Sequence, residues 1–148
     1  MRAVAQRVRS SSVTVGDEVV GQIGPGLLAY VGAMKGDVRD DLEYVANKLV
    51  NLRIFEDESG KMSRSVLDVR GGILLVPQFT LFGDVRRGRR PSFDDAEAPE
   101  AARALFEQFV SIVQALAPVE TGRFREEMLV EALVAGPITI LIDSRKVF

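Results

Sequence analysis

The sequence contains neither cysteine nor histidine. Without cysteine, the chain can form no disulfide, thiolate nucleophile or cysteine metal site. Without histidine, it lacks the side chain that most often acts as a general base and the imidazole that most often binds metals. A Ser-His-Asp triad is therefore excluded. Any catalysis has to use carboxylates, hydroxyls, lysine, arginine, backbone groups or the substrate itself.

Long hydrophobic runs are also absent. No apolar stretch approaches the length that spans a bilayer. The first ten residues, MRAVAQRVRS, lack the apolar segment of a signal peptide. A carboxylate site for magnesium or calcium is chemically possible, but no loop has the spacing of one. We therefore expect a cytoplasmic protein that binds no metal and no cofactor.

The composition is that of a globular protein. The chain has 148 residues, of which 47% are hydrophobic and 27% are charged. This length predicts a single domain over residues 1–148 with a real core. The net charge of −2 does not indicate a nucleic-acid binder, so contact with an anionic partner would require a local basic patch.

The first third of the chain is predicted to form strands. Residues 2 to 23 alternate loosely, which predicts two or three short strands with a turn at Gly16-Asp17. Residues 27 to 34 are more apolar and predict a central strand.

Two later stretches have helical spacing. The first follows Asp37, a candidate N-cap, and ends near Arg53; the second covers residues 101 to 116. Ile73 to Phe82 reads as a strand, although Pro77 within it suggests an edge or a bulge. Closing strands are predicted at 119–121, 128–134 and 138–143. The order of these elements predicts an α+β fold, a compact β-rich domain in which a largely antiparallel or mixed sheet packs against two main helices.

Three segments could carry chemistry, and each also has a structural explanation. Pro77 to Leu81 is either an irregular strand or a strand end whose backbone N–H groups and Thr80 hydroxyl face a pocket. Ala135 to Thr139 is either a turn or a segment that presents backbone carbonyls, as a cis Gly136–Pro137 bond would do.

The third segment is a cluster of arginines. It is either a solvated loop or a patch that contacts phosphates without reading base sequence. Gly88 would let this loop approach a nucleic-acid backbone closely. The four arginines are Arg86, Arg87, Arg89 and Arg90.

Taken together, these and other motifs make the sequence similar to the D-aminoacyl-tRNA deacylases, also called D-tyrosyl-tRNA deacylases. The likeness runs from Met1 to about Ser144 without a large gap. The motifs are MRAVAQRVRSSSVTV at the start, GQIGPGLL at 21–28, NLRIFEDESGKM at 51–62, QFTLFGD at 78–84, GRRPSF at 88–93, ETGRF at 120–124 and GPIT at 136–139.

The resemblance implies hydrolysis of the ester between a D-amino acid and the terminal adenosine of tRNA. It implies a homodimer in which a cis Gly-Pro pair, here Gly136 and Pro137, enters the partner's pocket and rejects L-residues. It assigns catalysis to Gln78, Phe79 and Thr80, mainly through their backbone groups. The arginine cluster would then bind tRNA.

The chain departs from the family at several positions. Pro77 replaces the motif serine and Val134 replaces the motif asparagine. The usual Gly-Ala-Asp-Met after Phe124 is Arg-Glu-Glu-Met at residues 125–128. Proline before the glutamine also occurs in a related animal subfamily that clears L-alanine from the wrong tRNA. Alternatives are therefore a deacylase for L-aminoacyl-tRNA or glycyl-tRNA and a non-catalytic tRNA-binding domain.

The resemblance suits a chain without histidine. Backbone N–H groups near Phe79 and Thr80 could form an oxyanion hole, and the ribose 2′-hydroxyl of the substrate could assist. Thr80 as a nucleophile is a weaker hypothesis, because no base is evident to activate its hydroxyl.

Overall fold

A computed structural model describes residues 1–147 of the chain. The elements alternate much as the sequence predicts, with eight strands and two helices in the described part. They are β1 (Arg2–Val15), β2 (Glu18–Ile23), β3 (Gly26–Gly32), α1 (Arg39–Asn51), β4 (Phe55–Glu56), β5 (Met62–Arg64), β6 (Gly72–Pro77), α2 (Pro99–Gln114), β7 (Val119–Thr121) and β8 (Leu129–Asp143).

Six of the strands form one mixed sheet. Neighbours in the series β2-β1-β3-β6-β7 are hydrogen-bonded to each other, and β8 also pairs with β1. The long strand β1 pairs antiparallel with β2 and β3 along one side and with β8 along the other. Strand β6 runs parallel to both β3 and β7. The predicted α+β fold with a mixed sheet and two main helices is therefore confirmed.

The sheet curls until its first and last strands approach each other. Gly21 of β2 lies so close to β7 that an added Cβ would stand 2.6 Å from the carbonyl oxygen of Thr121. A larger residue at position 21 would force these strands apart, so glycine is needed for the near closure of the sheet.

Strands β3 and β6 are buried on both faces, which explains their nearly continuous apolar sequences. One face packs against the helices and contributes Leu27, Ala29, Ile73 and Leu75 to the main core. The other face lines the inside of the curled sheet, where Leu28, Leu74 and Val76 form a second core cluster. Helix α1 covers the first face with buried residues at helical spacing: Leu42, Val45, Ala46 and Leu49.

The start of α1 differs from the sequence-based prediction. Val38, not Asp37, is the N-cap, and its N–H donates to the Asp41 carboxylate over 3.0 Å. Asp37 is buried instead, and its carboxylate binds the α-ammonium group of Met1 at 2.6 Å. Aspartate is common at helix N-caps, but here the ion pair with Met1 holds Asp37 away from that position. No helix within residues 1–147 is long and apolar enough to cross a bilayer.

Candidate active site

The segment after β6 turns sharply into a 3₁₀ helix, Phe79–Phe82, rather than continuing as a strand. Pro77 ends β6, which lies between β3 and β7 and is not an edge strand of the sheet, although at Pro77 itself β6 has no partner on the β7 side within the described chain. A residue without an N–H is tolerated there because the pairing of β6 with β7 stops at Leu75.

This turn leaves backbone donors available. The Gln78 N–H donates to the Val31 carbonyl at 2.8 Å, and the first bond of the turn runs from the Leu81 N–H to the Gln78 carbonyl. The N–H groups of Phe79 and Thr80 therefore precede the hydrogen-bond ladder, as the first amides of any helix do. Within residues 1–147 they have no backbone acceptor. Two adjacent donors of this kind can bind an oxyanion.

Glycine at the end of β3 brings that strand against the turn. An added Cβ at Gly32 would lie 2.8 Å from the carbonyl oxygen of Gln78 and 2.9 Å from the ring of Phe82. The Gln78 carbonyl and the Phe82 ring, at the two ends of the turn, therefore both pack directly against β3.

A cavity of about 490 Å³ opens beside the turn. Its wall is mainly apolar and combines the ends of β3 and β6 with side chains from α2 and from the segment after β7. Gln78 and Phe79 line it, but the Thr80 side chain does not. Other wall residues are Val31, Val76, Pro77, Phe106, Phe124 and Met128.

The Thr80 hydroxyl lies beside the side-chain amide of Gln78, and none of the described residues places a general base next to it. The Gln78 Nε2 group donates a hydrogen bond to Thr80 Oγ1. An amide nitrogen cannot remove a proton from the hydroxyl, and no carboxylate within the described residues is bonded to it. This geometry favours a catalytic role for backbone N–H groups over one for the Thr80 side chain.

The predicted arginine loop leaves the turn directly. Its two ends are tied by an antiparallel bridge, in which the amides of Asp84 and Ser92 each donate to the other's carbonyl at 2.8 and 3.0 Å. Arg86 bonds the Asp84 carboxylate with two nitrogens, at 2.9 and 2.7 Å, and lowers the pKa of that carboxyl to about 2. Arg87, Arg89 and Arg90 are exposed and form no ion pair in the described chain.

An aromatic contact connects this loop with the cavity. The ring of Phe93, just after the bridge, meets the ring of Phe79 edge to face. The free arginines therefore sit on a loop that is anchored at the mouth of the cavity.

Gly136 and Pro137 lie within a single strand, β8, and not between two strands as the sequence predicted. Their peptide bond is cis, which confirms that part of the prediction. The pairing of β8 with β1 continues past them because its register shifts twice near Val8. Both residues are exposed, and neither lines the cavity of its own chain.

The side chain of Arg7 supports the backbone next to this pair. Its Nε donates to the carbonyl of Ala135 at 3.2 Å, and its Nη1 donates to the carbonyl of Ile54 at 2.8 Å. Arg7 thereby joins β8 to the start of β4. The sequence pattern gives Arg7 no role, because the Ala135 and Ile54 carbonyls and its ion-pair partner Glu56 all lie far along the chain.

Sequence analysis also assigned no role to the aromatic wall of the cavity. Phe106 lies on α2 and Phe124 follows β7, yet their ring centroids are 6.5 Å apart. The ETGRF motif, which belongs to the resemblance, is the sequence signal for Phe124. The described residues contain no group of three or more carboxylates that could hold a metal ion.

The sequence and the structure of this chain both match known proteins of one family. The family described as D-Tyr-tRNA(Tyr) deacylase matches residues 4–143. The D-aminoacyl-tRNA deacylase of Symbiobacterium thermophilum is 54% identical over 100% of this chain and 99% of its own length. A structure titled c-Myc DNA Unwinding Element Binding Protein superposes with a TM-score of 0.92 at 39% identity, covering 97% of this chain and 98% of that one.

A second structure, titled as a probable eukaryotic D-amino acid tRNA deacylase, has a TM-score of 0.80 at 23% identity and covers 96% of this chain and 98% of that one. At that identity it supports the fold alone. The match over residues 4–143, together with relatives of about half-identical sequence along their full length, shows that the chain belongs to the D-Tyr-tRNA(Tyr) deacylase family.

Proposed function

We propose that this protein hydrolyses the ester bond of D-aminoacyl-tRNA, releasing the free D-amino acid and tRNA. The observation that carries this proposal is the pair of free amides, those of Phe79 and Thr80, on a turn beside an apolar cavity. We take residues 1–148 to be one deacylase domain that acts in the cytoplasm, where aminoacyl-tRNA is used.

The chemistry fits a chain without histidine. An aminoacyl ester is already activated, so water can attack its carbonyl carbon once the carbonyl oxygen is polarised. The Phe79 and Thr80 amides would hold the oxyanion that forms. The bond to the ribose oxygen then breaks, and a proton passes to that oxygen. The neighbouring 2′-hydroxyl of the substrate can guide the water, so no protein base is required.

Chiral selection would come from a second copy of the chain. Gly136 and Pro137 are exposed and absent from the cavity of their own chain, so their carbonyls are free to reach the cavity of a second copy. Their two carbonyl oxygens would accept hydrogen bonds from the α-ammonium of the substrate, which has donors and no acceptor. The same backbone would then stand where an L side chain projects.

The exposed surface of β8 supports a homodimer. It carries leucines that are 68% and 59% exposed, at Leu129 and Leu133, on the face opposite the neighbouring Val130 and Val134, which pack against the second core cluster. These leucines lie on the strand that also carries Gly136 and Pro137, so one interface would bury the apolar surface and deliver both carbonyls to the partner's cavity.

The arginine loop would bind the tRNA backbone. Its three unpaired arginines are exposed, and the contact between Phe93 and Phe79 holds the loop at the cavity mouth. A guanidinium matches the geometry of a phosphate, and the loop has no row of aromatic residues for stacking bases. We therefore assign tRNA contact to Arg86, Arg87, Arg89 and Arg90, with Arg86 the weakest contributor because Asp84 already binds it.

The test is release of amino acid from matched D- and L-tyrosyl-tRNA by the purified protein. We expect much faster hydrolysis of the D-ester. A preference for the L-ester or for glycyl-tRNA would replace this proposal with the alternative that Pro77 suggests. Tight tRNA binding without hydrolysis of any ester would instead identify a non-catalytic tRNA-binding protein.

A further inference from the structure

We propose that Arg125 is a further substrate-binding residue, whose guanidinium contacts the 5′-phosphate of the terminal nucleotide of the substrate. The inference rests on the proposed function, since it concerns the same cavity.

The backbone of Arg125 adopts an unfavourable conformation. Its φ is +63°, in the left-handed region that glycine enters freely and that other L-residues enter at a cost in free energy. Glycine would therefore be the residue expected from the backbone alone. The fold therefore holds this position in a conformation that arginine itself disfavours, as it also does at Arg70 and Lys146.

The segment around Arg125 is held firmly, so the position of Arg125 is determined by the fold. The Gly122 N–H donates to the Leu75 carbonyl at 2.9 Å, and an added Cβ at Gly122 would lie 2.7 Å from the sulfur of Met128. The guanidinium of Arg103 lies 5.4 Å from the ring centroid of Phe124. Arg125 follows that ring directly, and it is exposed and lines the cavity.

Neighbouring arginines are engaged, whereas Arg125 is not. Arg123 binds both carboxylate oxygens of Glu18 at 2.9 Å, and Arg103 stacks over Phe124. Within residues 1–147, Arg125 has neither a hydrogen-bond partner nor an ion-pair partner. Its five donors are therefore free for a ligand.

The charges in the cavity wall make Arg125 the place where an anion can bind. Glu97 and Glu126 also line the cavity and would repel a phosphate. The α-ammonium of Met1 is near the wall but is already bound to the buried Asp37 at 2.6 Å. Among the described residues that line the cavity, Arg125 is thus the cation left unpaired.

The chemistry of the substrate supplies such an anion. With the ester at the Phe79 and Thr80 amides, the terminal nucleoside would enter the same cavity, which Phe124 and Arg125 also line. Its 5′-phosphate is the first charged group of the nucleic acid outside that cavity. An arginine fork suits a phosphate because it can donate two parallel hydrogen bonds.

The experiment measures binding with and without that phosphate. The probes are an amide-linked, non-hydrolysable 3′-(D-tyrosylamino)-3′-deoxyadenosine and the same compound with a 5′-phosphate. Calorimetry would compare the unaltered protein with Arg125→Gly and Arg125→Lys, and Arg39→Ala on the surface of α1 serves as the charge-matched control. The rate of D-tyrosyl-tRNA hydrolysis would be measured on all four proteins.

We expect the phosphate to strengthen binding by about three- to tenfold in the unaltered protein and in Arg39→Ala. In Arg125→Gly the two probes should bind equally, and Arg125→Lys should fall between. Since glycine suits the left-handed backbone, Arg125→Gly should unfold at the same or a higher temperature, so a loss of phosphate recognition cannot be ascribed to misfolding. Its KM for D-tyrosyl-tRNA should rise while kcat stays unchanged.

An undiminished effect of the phosphate in Arg125→Gly would overturn this inference and leave the deacylase proposal intact. So would the lack of any phosphate effect in the unaltered protein, whatever its rate on D-tyrosyl-tRNA. If the unaltered protein hydrolyses no D-aminoacyl-tRNA and binds neither probe, the proposed function fails, and this inference fails with it.

Discussion

The ring of Phe79, in the 3₁₀ turn, and the ring of Phe93, at the end of the arginine loop, have centroids 5.0 Å apart and planes inclined by 64°. This edge-to-face contact joins the segment that would hold the oxyanion to the segment that would hold the tRNA. Phe79 is 57% exposed, so few other contacts restrain its side chain. This pair of rings therefore adds a side-chain contact between the two segments to the backbone bridge between Asp84 and Ser92.

Replacing Phe93 with leucine should lower kcat/KM for D-tyrosyl-tRNA by several-fold. Such aromatic pairs contribute about 0.5–1.5 kcal/mol, which corresponds to a factor of roughly two to ten. Single-turnover rates would show the loss, and urea unfolding should show little change because Phe93 lies outside the core clusters. Val85→Ala, an exposed change in the same loop, should leave the rate unaltered. Equal rates for both variants would mean that the ring contact does not position the turn.

Removing two unpaired arginines should make tRNA binding less dependent on salt. Each phosphate that is no longer neutralised lowers the slope of log K against log salt by about 0.7–0.9. The change is Arg89→Ala with Arg90→Ala, measured by filter binding over a range of salt. A matched control is Arg39→Ala with Lys48→Ala on α1, which alters the net charge equally. The prediction is wrong if both double variants show the same slope as the unaltered protein.

Thr80→Ala should retain much of the deacylase activity. In the structure the Thr80 hydroxyl accepts a hydrogen bond from the Gln78 side chain and has no base beside it, so the backbone N–H is the group expected to act. That N–H survives the substitution. Thr80→Ser is the comparison that keeps the hydroxyl. Single-turnover rates decide the matter, since a loss of several orders of magnitude in Thr80→Ala alone would establish a nucleophilic hydroxyl.

Introducing a charge on the outer face of β8 should separate the proposed dimer and abolish activity. Leu133→Asp places a carboxylate where an apolar contact is expected, and desolvating an unpaired charge costs several kcal/mol. Size-exclusion chromatography with light scattering would report the mass, and D-tyrosyl-tRNA hydrolysis would report the activity. Val19→Asp, at a comparably exposed site on β2, should change neither. A fully active monomer would contradict a site shared between subunits.

Much of the fold could be predicted from local sequence pattern. The spacing of Leu42, Val45 and Leu49 follows the helical repeat, and the turn at Gly16-Asp17 lies between β1 and β2 as expected. These features depend on residues that are close in the sequence, and hydrophobic periodicity detects such local features well.

Features that depend on distant residues were missed or misplaced. Asp37 reads as a helix cap, but the α-ammonium of Met1 binds it. Pro77 reads as a mark of an edge strand, although its strand is interior and simply ends there. In each case the deciding partner lies more than thirty residues away, or on a neighbouring strand, where a local pattern carries no information.

The candidate site was predicted only in part for the same reason. Gln78 and Phe79 do line the cavity, because one short motif places them together. The wall formed by Phe106 and Phe124 comes from a helix and a loop that the fold brings together. The left-handed backbone of Arg125 also could not be inferred, since the residue itself disfavours it.

The pairing of β1 with β8 has a consequence for how this protein folds. Arg2 is opposite Asp143, and the ladder continues to Thr14 opposite Leu129, so its contacts span more than a hundred residues of chain. Proteins dominated by such distant pairings have a high contact order and fold in milliseconds to seconds rather than microseconds. During synthesis, β1 is made first, and the backbone groups on its β8 side have no strand partner until nearly all of the chain has left the ribosome. Pulse-labelled hydrogen exchange should therefore find the amides that join β1 to β8 protected later than those within α1 and α2.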